Sequence, residues 1–363
     1  MEGPRSPRET ELPQVLDFLN KKLRSEAPWS IAAEYPTAFT PNNLHNMRII
    51  ADEERVLSHA VLKPLIIKSP HVIYKVAAIG SVVTDDQHRG QGLSTTVIKD
   101  CLRSAQEQSC DIAILWTDLF DFYRRMGFEL AGSEISFVIE DNFQMPISNL
   151  SYSTDSKIAP DAIYRLYSQH SVNSVRSIEE TRKFLSIPQT QIYTAWEPNG
   201  QLAAYAIEGK GIDLGGYIHE WGGSTSKLLS LLSFIRAKKG TPFTIICPKH
   251  SQNLIRELET RHVTKNSGFL GMIKIVNFEQ LSAKIKRAFR AEGVADFVLE
   301  KQGDQFVFGI GQDLYTITHE TDMVRLLFGP VDYRAIGIFK EETVAKFEKI
   351  MPLNLWVWGW DSI

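Results

Sequence analysis

The stretch Ile79-Gly-Ser-Val-Val-Thr-Asp-Asp-Gln-His-Arg-Gly90-Gln-Gly92-Leu-Ser94 holds residue types able to do chemistry together. An apolar run enters a loop with two glycines and passes straight into an amphipathic segment, so several backbone N–H groups converge on a helix N-terminus. That arrangement binds phosphate. Glycine at 90 and 92 admits a ligand that any Cβ would hold off, and Arg89 adds a mobile positive charge. The same glycines also suit a plain strand-to-helix turn, and that reading stays open at this point. The Gly-Lys-Ser/Thr ending of a P-loop is missing, and the spacing is not the GxGxxG dinucleotide fingerprint. About 30 residues further on comes Phe122-Tyr-Arg-Arg-Met-Gly-Phe128.

The elements that must position these residues follow from periodicity. Leu12, Val15, Leu16, Leu19 and Leu23 recur at helical spacing between Glu11 and Arg24. A Pro- and aromatic-rich stretch follows, and Trp29, Tyr35 and Phe39 in it either line a pocket or pack as ordinary core. Strands are predicted over Met47–Ala51, Arg55–Ile67 and Val72–Val83, the last apolar almost throughout and hence central, with both faces covered. Leu93, Val97, Ile98, Cys101, Leu102 and Ala105 form one buried helical stripe. A strand over Asp111–Trp116, a short helix over Leu119–Met126 and one strand over Phe128–Ile139 complete this unit.

The chain turns polar around Ser148–Lys157, and a boundary is expected there. The next segment repeats the mixed order of elements, with strands near Leu202–Glu208, Gly216–Trp221 and Phe243–Cys247 and a helix over Lys227–Lys238. It has no counterpart of the glycine loop, so any chemistry is expected in the first copy. The block from Gly268 to Ile363 differs in kind: a helix over Phe278–Phe289, a hairpin around Gly303-Asp304, short helices, and a final apolar strand over Leu353–Trp358. Strands and helices do not alternate regularly here. The fold class expected is α+β, a mixed α/β chain.

Composition bounds the function. Of 363 residues, 40 are Lys or Arg and 43 Asp or Glu, a net charge of −3 that offers no general attraction to nucleic acid or an anionic membrane. Three cysteines, Cys101, Cys110 and Cys247, form no CxxC and are too few for a disulfide framework. No apolar run approaches the roughly 18 residues that cross a bilayer, and the N-terminus lacks the apolar core of a signal peptide, so a cytoplasmic location is expected. The histidines show no HExxH or metal-ligand clustering, and no metal is expected; His59, and His219 beside Glu220, read as structural. Gly-x-Ser-x-Gly and RNA-binding motifs are absent.

Taken together, Gln87-His-Arg-Gly90-Gln-Gly92 and Tyr123–Phe128 resemble the GNAT superfamily of N-acetyltransferases, whose [Gln/Arg]-x-x-Gly-x-[Gly/Ala] loop holds the pyrophosphate of acetyl-CoA. The resemblance implies backbone pairing of Val82, Val83 and Thr84 with the pantetheine arm. It implies that His88, Arg89, Gly90, Gln91, Gly92 and Ser94 surround the pyrophosphate. Tyr123 would be the general acid that protonates the departing thiolate. An ordinary tyrosine, with pKa about 10, keeps its proton at neutral pH; a core aromatic on a short helix is the plainer reading of the same residue. The Asn-x-x-Ala pair of many members is replaced here by Trp116 and Leu119, so a side-chain contact of that Asn to CoA does not carry over.

The whole chain resembles the Eis (enhanced intracellular survival) type within that superfamily. That plan implies a catalytic GNAT domain over residues 1–147, a degenerate GNAT-like domain over 148–266 and a sterol-carrier-protein-like domain over 267–363. Met272-Ile-Lys-Ile-Val-Asn-Phe278 and the ending Leu353-Asn-Leu-Trp-Val-Trp-Gly-Trp-Asp-Ser-Ile363 carry the third part. In Eis-type enzymes the C-terminal carboxylate helps deprotonate the acceptor, which implies the same of Ile363. The acceptor expected is a small-molecule or peptide amine, with Trp29, Glu34, Tyr35 and Phe39 as its surroundings. The base is the Ile363 carboxylate, Glu34 or a chain of waters. Direct attack on acetyl-CoA in a ternary complex is expected, without an acetyl-enzyme. A non-catalytic CoA-binding or regulatory protein and an acyltransferase using a longer acyl-CoA are the alternatives; homo-oligomers are compatible with the chain.

Overall fold

The computed structural model describes residues 1–363 except 54, 141–142, 146–147, 155–156 and 262. The first sheet runs, edge to edge, through strands Glu2–Arg5, Met47–Asp52, Arg55–Lys68, Ile73–Thr84, Ile112–Leu115, Gly271–Ile275 and Glu129–Ala131. Its centre is the strand Ile73–Thr84, antiparallel to Arg55–Lys68 and parallel to Ile112–Leu115. The helix Leu93–Glu107 makes the crossover between the two parallel strands and buries Val97, Ile98, Cys101 and Ala105, the stripe expected from its spacing. Helix Leu12–Leu23 opens with Pro13 in its first turn and closes on Lys21 and Lys22, as the helix dipole favours.

The second sheet orders Thr264–Gly268, Glu134–Ile139, Phe243–Pro248, Asp213–Gly223, Leu202–Lys210, Gln191–Trp196 and Ser151–Ser153. It repeats the central device of the first: Asp213–Gly223 and Phe243–Pro248 are parallel and joined through the helix Thr225–Lys239. A three-stranded antiparallel meander, Phe297–Gln302, Gln305–Ile310 and Asp313–Ile317, makes the third sheet, with Phe289 of helix Phe278–Ala291 stacked on Phe297 at 3.9 Å. Among the described residues no helix is long and apolar enough to cross a membrane.

Two segments differ from the sequence reading. Phe128–Ile139 is not one strand: Gly132, at φ +72°, breaks it into Glu129–Ala131 in the first sheet and Glu134–Ile139 in the second. Leu353–Trp358 is buried but belongs to no sheet, and isolated hydrogen bonds rather than a ladder tie it to its surroundings. Leu353 N–H donates to the Leu327 carbonyl at 2.7 Å, and Trp358 Nε1 donates to the Val172 carbonyl at 3.0 Å. The sheets also exchange strands. Glu134–Ile139 pairs with Phe243–Pro248, and Gly271–Ile275 returns between Ile112–Leu115 and Glu129–Ala131. The boundary expected at residues 147/148 falls partly on 146–147, outside the described residues.

The final segment is anchored deep in the second unit. Trp356, Trp358 and Trp360 are almost fully buried, each removing on the order of 200 Å² from water, worth a few kcal/mol. Asp361 and Glu220 both clasp Arg176, each at 2.7 Å, and all three are buried. Lys210 Nζ donates to the carbonyls of Gly359 at 2.9 Å, Trp360 at 3.4 Å and Ser362. Removing the cation from such a buried triad strands two carboxylates. Arg176→Ala is therefore expected to lower the unfolding free energy by about 3–5 kcal/mol, against less than about 1 kcal/mol for Lys21→Ala in the exposed pair with Asp17. Urea unfolding of the two variants measures both.

Candidate active site

The site begins where two parallel strands part. Ile73–Thr84 and Ile112–Leu115 pair at Val76, Ala77 and Ala78, and no register pair follows. Beyond Ala78 the backbone edge facing the neighbouring strand is open. A bulge lies here: His59 pairs with Val83 and Val61 with Gly80, so Ala60 faces both Ser81 and Val82. Ser81 takes a left-handed φ of +49°, a conformation costing on the order of 1 kcal/mol. The His59 ring N–H at Nδ1 donates to its carbonyl at 2.9 Å, and burial pushes the His59 pKa down to about 4, so the ring is neutral.

On one side of the splay lies an open cleft of about 1540 Å³. Val82, Val83, Thr84, Arg89 and Ser94 line it, facing helix Leu12–Leu23. Gly90 and Gly92 both sit at φ +77° with open space where a Cβ would stand. Helix Leu93–Glu107 starts at Gly92 without a side-chain cap, which leaves its first amides free to meet an anion. Gln91 is exposed, and His88 Nδ1 lies 3.2 Å from Asp85. Arg89 pairs with Asp86 at the rim at 2.7 Å. Thr84 and Ser94 join strand to helix through their hydroxyls, 2.6 Å apart.

On the other side is a cavity of about 480 Å³ that shares Leu23, Val82 and Leu119 with the cleft. Tyr123 lines it from the short helix Phe120–Arg124. Packed edge-on against Phe122 and Phe128, its phenol has its pKa pushed up to about 12 by burial alone. Among the described residues its hydroxyl has no hydrogen-bond partner. Ile363 lines the same cavity, brought there by the docked final segment. A Cβ on Gly80 would stand 2.6 Å from the Ile363 carbonyl carbon, so only glycine allows this approach.

Of the four aromatic-loop residues expected around an acceptor, Tyr35 alone lines this cavity. Its hydroxyl donates to Asp213 at 2.5 Å, and burial, then the Asp213 charge, pushes its pKa up. Glu34 is turned away and fully buried, neutralised by Arg24 at 2.6 Å and accepting from Trp29 Nε1 at 2.5 Å. Phe39 packs on His59. Trp116, where the family pattern has Asn, is a cavity wall whose indole N–H donates to the Leu270 carbonyl at 2.8 Å. The three cysteines are buried, and burial raises all their pKa values, Cys110 to about 11 and Cys101 to about 12.

The second unit has the corresponding splay, and it is filled. Asp213–Gly223 and Phe243–Pro248 pair only at Tyr217 and Ile218, and Trp221 beyond them donates its Nε1–H to the Ile246 carbonyl at 3.0 Å. Trp358 packs edge-on against Trp221 at 5.2 Å. This is the physical difference between the two copies.

Sequence reasoning missed Glu134. It begins a strand, with nothing in its neighbours to mark it, yet it lines the cavity, and burial alone pushes its pKa up to about 7. The folded protein therefore binds more protons than the unfolded chain between about pH 4.5 and 7, and this group's contribution to stability falls as pH rises through that window. Glu134→Gln is expected to match the wild type in melting temperature near pH 4.5 and to exceed it above pH 7 (thermal unfolding across pH), since glutamine carries no charge to bury.

Residues 4–131 match the acetyltransferase (GNAT) domain family. Comparison with curated proteins yields no match. Among solved structures, a GCN5-related N-acetyltransferase from Anabaena variabilis is similar at 17% identity and TM-score 0.70, covering 99% of both chains. A probable N-acyltransferase from Enterococcus faecalis gives 15% and 0.65, and Eis1 from Mycobacterium abscessus gives 10% and 0.62, each again over 99% of both chains. At these identities the likeness is one of fold, while the family match falls on the residues that build the open splay, the glycine loop and Tyr123. Residues 4–131 are thus a GNAT acetyltransferase domain, within a chain whose whole length is similar in fold to solved N-acetyltransferases, Eis1 among them.

Proposed function

We propose that this protein moves the acetyl group of acetyl-CoA to a primary amine. The observation that carries the reading is the cleft and the cavity that meet at Val82, with the uncapped helix N-terminus on the cleft side and Tyr123 with Ile363 on the cavity side. The open edge at Val82–Thr84 would hold the pantetheine arm, and the amides after Arg89 the pyrophosphate. Bound there, acetyl-CoA supplies an acetyl group activated as a thioester. A near-neutral chain supports a local nest of amides, rather than a basic surface, as the means of holding the anion.

Tyr123 is the proposed proton donor. A phenol with pKa about 12 keeps its proton at every physiological pH, and the apolar surroundings that raise it also raise the basicity of a leaving thiolate. The acceptor must lose a proton first, since a lysine-like amine has a pKa of about 10.4. The carboxyl of Ile363 is the proposed receiver; Glu34, closed off by Arg24, is not. The cavity supports an amine in a second way. Both of its cations are spent, Arg24 on Glu34 and Asp213, and Lys210 on main-chain carbonyls. No other lysine or arginine lines the cavity among the described residues, and Glu134 adds an acidic group to it.

A longer acyl group is the second reading, favoured by apolar walls at Ile31, Leu115 and Trp116. Three buried free thiols support a reducing, cytoplasmic setting. For residues 267–363 the sterol-carrier-like reading stays a proposal, supported by the meander with helices packed on it. Free-thiol release from acetyl-CoA with a panel of amines tests the function. Tyr123→Phe is expected to lower kcat by about a hundredfold to ten-thousandfold with KM for acetyl-CoA within about twofold; unaltered turnover would refute the role of Tyr123.

A further inference from the structure

Charge pairing inside this protein follows one rule with one departure. Every fully buried acid among the described residues, from Glu34 with Arg24 through Asp111 with Lys284 to Asp361 with Arg176, lies within salt-bridge distance of Lys or Arg. Glu134 is half-buried in the cavity wall, and no cation or hydrogen-bond donor of the described residues reaches its carboxylate. Its register partners are Pro248 and Gly268, and Trp116, Ile246 and Leu270 line the same cavity. An unpaired carboxylate held in such a wall is costly, unless a ligand supplies the missing charge.

A second group in the cavity lacks a donor in the same way. His219 Nε2 lies 3.0 Å from the Gly209 carbonyl, so Nε2 carries the proton and Nδ1 the lone pair. That Nδ1 is buried without a partner, and burial pushes the pKa of the ring down to about 3, so it stays neutral.

Position separates Glu134 from the reacting centre. Gly80 and Ile363 meet on the strand Ile73–Thr84. Glu134 follows the strand Glu129–Ala131, which lies three strand steps away across Ile112–Leu115 and Gly271–Ile275. At about 4.8 Å a step, Glu129–Ala131 stands roughly 14 Å from Ile73–Thr84, and beyond Gly132 the chain crosses so that Glu134 heads a strand of the second sheet. The carboxylate is therefore assigned to a part of the acceptor other than the amine that meets Ile363.

We propose that Glu134 is a specificity-determining residue that pairs with a second cationic group of the acceptor, remote from the amine that is acylated. The acceptor class is then a diamine or polyamine with an aliphatic body that lies along Trp116 and Leu270. The proposal rests on reading the cavity as the acceptor side of an amine acylation site.

The probes are α,ω-diamines from ethylenediamine to decamethylenediamine, each beside the monoamine of equal carbon count. Calorimetry with the full chain is expected to find one range of diamine lengths bound at least about tenfold tighter than its monoamine, as a charged hydrogen bond warrants. In Glu134→Gln that difference should collapse to about twofold or less. Glu134→Asp should keep the preference and move it to a longer diamine, which a variant that had merely unfolded could not do. Equal affinities for diamine and monoamine in the wild type, or binding of neither, overturns the proposal. So does a Glu134→Gln enzyme with lower kcat and unchanged KM for the diamine, the mark of a proton acceptor. Thiol release run in parallel separates the two readings: a diamine preference that depends on Glu134, without thiol release from any amine, supports the anchor and refutes acetyl transfer alone.

Discussion

The guanidinium of Arg176, held between Glu220 and Asp361, is the interaction on which the geometry of the site depends. It sits in the second unit, yet what it fixes is the end of the chain, and through that end a wall of the first unit's cavity. Burying three charges together is costly, and only bidentate geometry with every partner present makes it tolerable. Burial disfavours the charge on Arg176, but Asp361 and then Glu220 more than offset this and raise its pKa well above the ordinary arginine value. With Asp361 held, and with Lys210 gathering the carbonyls around it, Ser362 and Ile363 have little freedom left. A side chain on Gly80 is the remaining obstacle, and there is none.

The same economy explains why one of two similar units bears the cleft. Each has a central strand parallel to its neighbour through a crossover helix, and in each the pair separates after two or three residues. A splay between strands exposes backbone groups that need partners. In the second unit the indole of Trp221 supplies one and fills the gap. In the first, the bulge at Ser81 turns the backbone, the glycine loop leaves its amides bare, and the edge stays open to a ligand. Exchange of strands between the sheets locks the units together, so the cavity between them has walls from both.

The glycine loop, the helix stripe after it and Tyr123 were all legible in the sequence because each is a local pattern; the fold brings the loop to the cleft and Tyr123 to the cavity beside it, and buries the stripe. Long-range pairing was not legible. Phe128–Ile139 has the alternation of one strand, and nothing in a hydropathy pattern says that Gly132 hands its second half to another sheet. Met272–Val276 looks like the opening of a third unit, although its residues complete the first sheet. Leu353–Trp358 is apolar enough for a core strand, but its indoles rather than its ladder bonds hold it. In the aromatic loop, composition marked Trp29, Glu34, Tyr35 and Phe39 together; only the path of the backbone turns Tyr35 inward and closes Glu34 on Arg24. Glu134 was invisible for the opposite reason, since an acid at a strand end is ordinary until its lack of a partner is seen.

The docked end of the chain, beside Gly80 on the strand Ile73–Thr84, is proposed to form part of the acyl-transfer site. Gly80→Ala tests it most directly, because the added methyl must displace the Ile363 carboxyl while leaving the glycine loop untouched. The measurement is free-thiol release with an amine acceptor, beside calorimetry of acetyl-CoA binding. The account predicts acetyl-CoA affinity within about twofold of the wild type and turnover lowered by at least about tenfold. Turnover equal to the wild type, with acetyl-CoA bound as before, would contradict it.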